Sequence, residues 1–143
     1  MKVIPSMRFS ASLCVCLLLA PAGLARDALP VPEPVTARAT DLGRYRIAYA
    51  SALEPLAINR IHAWVVHVAD ADGQPVDGAE LAVSGGMPAH DHGLPTAPRM
   101  TRNLGEGNYL VEGMRFHMGG DWEVTLAVVG PDGMDSLTLQ LNL

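Results

Sequence analysis

Once its first 25 residues are set aside, the chain has no cysteine. The two it carries, Cys14 and Cys16, fall in a segment that reads as a removable export signal. A chain cleaved there has no disulfide, no thiolate nucleophile and no cysteine-based zinc site. Lysine is missing from the same stretch: beyond Lys2 every basic side chain is an arginine, and these are scattered singly. Setting aside Lys2 and Arg8 leaves 8 basic against 15 acidic side chains, a balance of −7. Such a surface argues against nucleic acid or an anionic membrane as partner. The longest apolar run, residues 11–20, is half of the roughly 20 residues a membrane-spanning helix needs, and Pro21 stops it.

Catalytic signatures are missing as well. Beyond residue 25 the serines are Ser51, Ser84 and Ser136, none of them in Gly-x-Ser-x-Gly. There is no His-Glu-x-x-His, no phosphate-cradling glycine loop and no dinucleotide fingerprint. Asp70, Asp72 and Asp77 lack the spacing and the closing glutamate of a calcium loop. The expectation is a protein without enzymatic activity, with a hydrolase as a residual alternative.

What is present begins with the export signal. Lys2 and Arg8 form a positive start, residues 11–20 an apolar middle, and Ala20-Pro21-Ala22 or Gly23-Leu24-Ala25 a small-residue cleavage site. Residues 1–25 are therefore expected to be a cleaved signal peptide, placing the mature chain in the periplasm or outside the cell without a lasting anchor. Pro30, Pro32 and Pro34 mark residues 26–42 as an extended leader. Removing 25 of the 143 residues leaves 118, enough for one domain with one core.

From residue 43 to 143 the hydrophobic period is two. Tyr45, Ile47 and Tyr49 alternate with small or charged residues, and His62, Trp64, Val66 and Val68 share one face of a second run. On that run His62 and His67 point to opposite faces, which suits structural or solvated roles. Leu81 and Val83 mark a third strand, expected to end at Gly85-Gly86, and Tyr109 and Val111 another. Trp122, Val124, Leu126 and Val128 alternate before the Pro131-Asp132-Gly133 turn, and Leu137, Leu139 and Leu141 alternate after it, a hairpin signature. No helical periodicity persists for three turns. The pattern predicts an all-β fold, a single antiparallel immunoglobulin-like β-sandwich of about seven strands. Its glycine-rich approach to Tyr109 loosely resembles a tyrosine corner.

Chemistry concentrates where the alternation breaks. Residues 86–98 hold three prolines, Met87, and the pair His90 and His92, and read as a long loop of fixed path. Downstream, Met114, His117 and Met118 add two thioethers and an imidazole, with Met100 between the two groups. Thioether and imidazole together suit Cu(I), whereas imidazole alone suits Cu(II) or zinc. The metal-ligand candidates are Met87, His90, His92, His117 and Met118, with the face of Trp122 as a cover for the cation. A competing reading makes the methionines core filling and the histidines backbone-bonded turn residues. In a straight strand His117 and Met118 face opposite ways, and a bulge at Gly113 would bury Met114, Phe116 and Met118 in place of His117.

Residues 85–101 (GGMPAHDHGLPTAPRMT) and 108–124 (NYLVEGMRFHMGGDWEV) resemble the signature blocks of the FixH/YtkA-like family, and residues 55–81 its opening strands. The resemblance spans about residues 43–143. It implies a small immunoglobulin-like sandwich outside the cytoplasmic membrane, without known catalytic activity. FixH proteins are membrane-anchored and associated with a copper-transporting pump and with cytochrome oxidase assembly. The signal peptide here sets this chain apart from them and nearer to the soluble YtkA-like branch. The expected cofactor is copper. The expected partner is another periplasmic copper protein or an oxidase-assembly factor. The other possibility carried from the sequence is a metal-free interaction domain whose His/Pro loop is a recognition surface.

Overall fold

The computed structural model describes residues 28–143. The expected signal peptide and its cleavage site lie outside the described residues. Among the described residues nine strands follow one another: β1 (Arg38–Ala39), β2 (Tyr45–Ser51), β3 (His62–Asp70), β4 (Glu80–Met87), β5 (His92–Gly93), β6 (Arg99–Gly105), β7 (Asn108–Met114), β8 (Asp121–Gly130) and β9 (Gly133–Asn142). Seven of them are seven residues or longer; β1 and β5 are two-residue additions. Short 3-10 turns occupy Pro34–Thr36 and Pro88–His90. Among the described residues no helix is long and apolar enough to cross a membrane.

All pairings are antiparallel, in the order β1-β2-β3-β7-β6-β4-β8-β9, with β5 on the other part of β4. The path folds over on itself through the single β6–β4 pair, Arg99 with Ala82, so β1-β2-β3-β7-β6 form one layer and β4-β8-β9 the other. The fold is the antiparallel sandwich that the period-two pattern predicts. Inward positions of the two layers meet in one core that holds Trp64, Trp122, Tyr45, Tyr109 and Phe116, all completely buried. Residues that alternate with them on β8 and β9 are half-buried or exposed, as a sheet solvated on one face requires.

Two tyrosines, Tyr45 and Tyr109, lock the ends of strands, the Tyr45 hydroxyl by donating to the Gly133 carbonyl at 2.8 Å. The Tyr109 hydroxyl donates to the Val76 carbonyl at 2.6 Å and accepts the Ala79 N–H at 2.9 Å. Burial, the largest influence, pushes the Tyr109 phenol up from its ordinary pKa. The resemblance to a tyrosine corner is partial, because the partners lie in the β3–β4 connection and not a few residues upstream. Tyr109→Phe is expected to strand that N–H and C=O inside the protein. The cost is about 1–3 kcal/mol, readable as a lower urea midpoint at unchanged slope.

The first and last parts of the sandwich are also joined. The Asp135 carboxylate, 4% exposed on β9, accepts the Thr40 hydroxyl at 2.6 Å and the N–H groups of Leu42 and Arg44 at 3.0–3.1 Å. The Asp41 N–H adds a bond to the Ser136 carbonyl at 2.8 Å. The sheet therefore starts inside the stretch read as a leader: β1 pairs with Arg46 and Ile47, and Thr40 is buried. Burial alone would raise the Asp135 pKa. Hydrogen bonds from Thr40, Leu42, Arg44 and Ser136 outweigh it and hold the carboxyl down at about 2, from 3.8. A depressed folded-state pKa contributes stability above the unfolded value and loses it as pH falls through the folded one. Wild type should thus lose an increment of thermal stability between about pH 4 and pH 2 that Asp135→Asn, already weakened at neutral pH, does not lose. Melting curves of both chains across that range check it.

Candidate metal centre

β4 is not cut short at Gly85-Gly86 but runs on to Met87. Both glycines are required by close approach. A Cβ on Gly85 would stand 2.7 Å from the Glu123 carbonyl of β8, and one on Gly86 2.8 Å from the His92 carbonyl of β5. The Pro/His segment consequently folds back on β4, with Met87 paired to His92 and Gly86 to Gly93. Pro88 starts a 3-10 turn, and Asp91 closes it in the left-handed region at φ 50°, ψ 43°. His90 and His92 emerge on either side of Asp91 with nearly parallel rings, 19° apart in plane and 5.8 Å between centroids. The His90 side is exposed and the His92 side half-buried.

The second half of the site comes from the end of β7. Gly113, at φ 89°, is the extra residue of a bulge: Met114 pairs with His62, Glu112 with Ala63. The bulge buries Met114 and Phe116 completely. The ladder stops at Met114, and the chain then bends at 118–120, so the straight-strand geometry that would part His117 from Met118 does not apply. Two contacts fix the bend. The Trp122 indole donates to the Met118 carbonyl at 3.0 Å. Gly120 and Leu143 exchange N–H···O bonds of 2.7 and 3.0 Å.

These two segments meet over Trp122. His92 Nε2 lies 3.2 Å from Met118 Sδ. The His92 and His117 ring centroids are 4.7 Å apart, and the Trp122 ring is 5.8 Å from the first and 5.5 Å from the second. Three of the five candidates, His92, His117 and Met118, therefore form one group. His90 is joined to it through its stacking on His92. Met87 is 2% exposed and belongs to the core, with its methyl group against Gly120. Met114 and Met100 pack in or on the same core. His62 and His67 are outside the group: His62 is bonded to the Arg60 carbonyl beneath Trp64 and Phe116, and His67 to Asn108.

The chain matches the YtkA-like family model over residues 35–127. It belongs to the YtkA-like family. Among curated proteins and among solved structures nothing matches it significantly.

The donor chemistry of this YtkA-like domain follows from the atoms. A thioether has no hydrogen to give, so a hydrogen bond across this contact is one that His92 Nε2 donates to sulfur. Nδ1 of His92 and Nδ1 of His117 are both buried without a hydrogen-bond partner. Two imidazoles, each with a buried unpartnered nitrogen, and a thioether thus sit together. A metal bound to imidazole at about 2.0 Å and to sulfur at about 2.3 Å holds those donors about 3.5–3.7 Å apart; the observed 3.2 Å requires them to open by only a few tenths. Among the described residues no three His, Cys, Asp or Glu side chains are arranged to hold a metal. The Met118 thioether would complete a three-donor set with the two imidazoles, a combination that suits a soft ion. An open cleft of about 280 Å³ reaches His92 from the loop side, with Asp91 and Glu123 among its walls.

Trp122 is expected from the sequence as a cover for a cation; the structure shows it holding the Met118 carbonyl, which the sequence does not announce. The Gly119-Gly120 pair was the available signal, since a Cβ on Gly119 would crowd the Leu143 carbonyl at 3.1 Å.

Proposed function

We propose that the chain is a periplasmic, non-enzymatic copper module that binds Cu(I) through His92, His117 and Met118 and passes it on by ligand exchange. The observation that carries this reading is the meeting of His92 Nε2 with Met118 Sδ at 3.2 Å beside the His117 ring. An N/N/S set matches the softness of Cu(I) and leaves hard divalent ions poorly served. The signal-like residues 1–25 support an extracytoplasmic location, where a chain without cysteine must rely on Met and His. The buried Nδ1 of His92 also favours delivery over storage. When Nε2 gives its lone pair to a metal, the ring proton moves to Nδ1, which has no acceptor among the described residues. Lack of such an outer partner weakens metal affinity by about 10–100-fold, which eases release. The receiving protein would be another periplasmic copper protein or an oxidase-assembly factor.

A second reading, a metal-free interaction domain, draws on the burial of Met87 and Met114 in the core and on the exposed His90 turn stiffened by Pro88. Anaerobic titration of the mature domain against a coloured Cu(I) chelator separates the two. The copper reading expects one Cu(I) per chain held in competition. A wild type that never competes favours the interaction domain, and preference for zinc over Cu(I) moves the site to the histidines and Asp91 without sulfur.

A further inference from the structure

We infer that His90 is not a resident ligand but the exchange ligand of the site, the group through which Cu(I) enters and leaves. The inference rests on the copper reading above. Its own support is positional. His92, His117 and Met118 are half-buried over Trp122, and a ligand-exchange step with a partner needs a donor that reaches both the site and the solvent. His90 is exposed at the end of the Pro88–His90 turn. Its ring lies nearly parallel to that of His92, 5.8 Å away between centroids and 19° apart in plane. The cleft on the loop side carries Asp91 and Glu123, carboxylates that suit hard cations and not Cu(I). His90 is therefore the exposed soft-compatible donor next to the buried set.

The turn holding His90 is anchored where it meets the sheet. Pro88 fixes one side and left-handed Asp91 the other, while Met87 and His92 are tied in the β4–β5 pairing. The His90 side chain has no hydrogen bond to restrain it among the described residues, and its ring already faces that of His92. In the step, a bond from His90 nitrogen to Cu(I) forms as the bond from one buried donor breaks, and the acceptor's ligand then replaces His90. Copper stays in the +1 state and no electron is transferred.

The test separates equilibrium from rate. Wild type, His90→Ala and His92→Ala are loaded anaerobically with Cu(I). Each is assayed for equilibrium competition with a coloured chelator, and for the stopped-flow rate of transfer to an excess of it. For His90→Ala the expectation is an affinity within about threefold of wild type and transfer slowed about tenfold, loading and unloading alike, because their ratio is the equilibrium constant. Diethyl pyrocarbonate should modify His90 fastest in the metal-free protein. An affinity loss for His90→Ala as large as that for His92→Ala would make His90 a resident ligand and overturn the inference. An unchanged transfer rate would make it a bystander, with the same consequence. If wild type itself fails to hold Cu(I), the copper reading falls and this inference with it; failure of the His90 arm alone leaves the copper reading standing.

Discussion

Met118→Leu is expected to weaken Cu(I) binding about a hundredfold or more while leaving the fold intact. Loss of a mere outer-shell partner costs about 10–100-fold, and here a direct donor goes. Leucine nearly conserves the volume of methionine, and such swaps usually cost less than about 1.5 kcal/mol. Met118 is half-buried at the core margin, so its packing can be kept while its sulfur is removed. His92→Ala should match that loss, because His92 is the side chain in contact with both Met118 and His117. The discriminating comparison is zinc. With two imidazoles left, Met118→Leu should bind zinc about as wild type does, whereas His92→Ala should bind neither ion well. Competition titrations for both ions, with melting curves as the folding control, check the pair. A Met118→Leu chain that binds Cu(I) normally would remove sulfur from the account.

Trp122→Ala should be the most destabilising single change at the site. The ring is completely buried, 5.2 Å from Phe116 between centroids and edge-on to it, and it supports the rings of His92 and His117. Removing a core tryptophan costs about 3–5 kcal/mol, a large share of the roughly 5–15 kcal/mol that stabilises an ordinary domain. Trp122→Phe separates packing from positioning. It keeps an aromatic floor but gives up the indole N–H that holds the Met118 carbonyl at 3.0 Å, a bond worth about 0.5–1.5 kcal/mol. The expected result is a modest loss of stability and a disproportionate loss of Cu(I) affinity, since Met118 is no longer held against His92. Urea unfolding and chelator competition on the same samples read the two effects.

Much of the fold was legible because half-buried strands print their faces on the sequence. Trp122, Val124, Leu126 and Val128 alternate in the sequence and are all completely buried in the structure. β6 was not legible. It turns the corner between layers with two register shifts and has mainly exposed side chains, Met100 being the one that touches the core. The beginning of the domain is hard to read from sequence for a different reason: Thr40 is buried by Asp135, 95 positions away, and no local pattern announces so distant a partner. At the site, the chemistry of the donors was legible and their ranking was not. Met87 and Met118 look equivalent in sequence, but β4 extends far enough to carry Met87 into the core. The approach of His117 and Met118 to one point depends on the chain leaving the ladder after Met114, a consequence of Gly113 and of the clamp on Gly120.

The central claim is that one thioether and two imidazoles share a Cu(I) ion. X-ray absorption of the Cu(I)-loaded mature domain tests it directly. The account predicts a three-coordinate site with two nitrogen donors near about 2.0 Å and one sulfur near about 2.3 Å, the sulfur shell vanishing in Met118→Leu. A first shell of nitrogen and oxygen alone in wild type would contradict it.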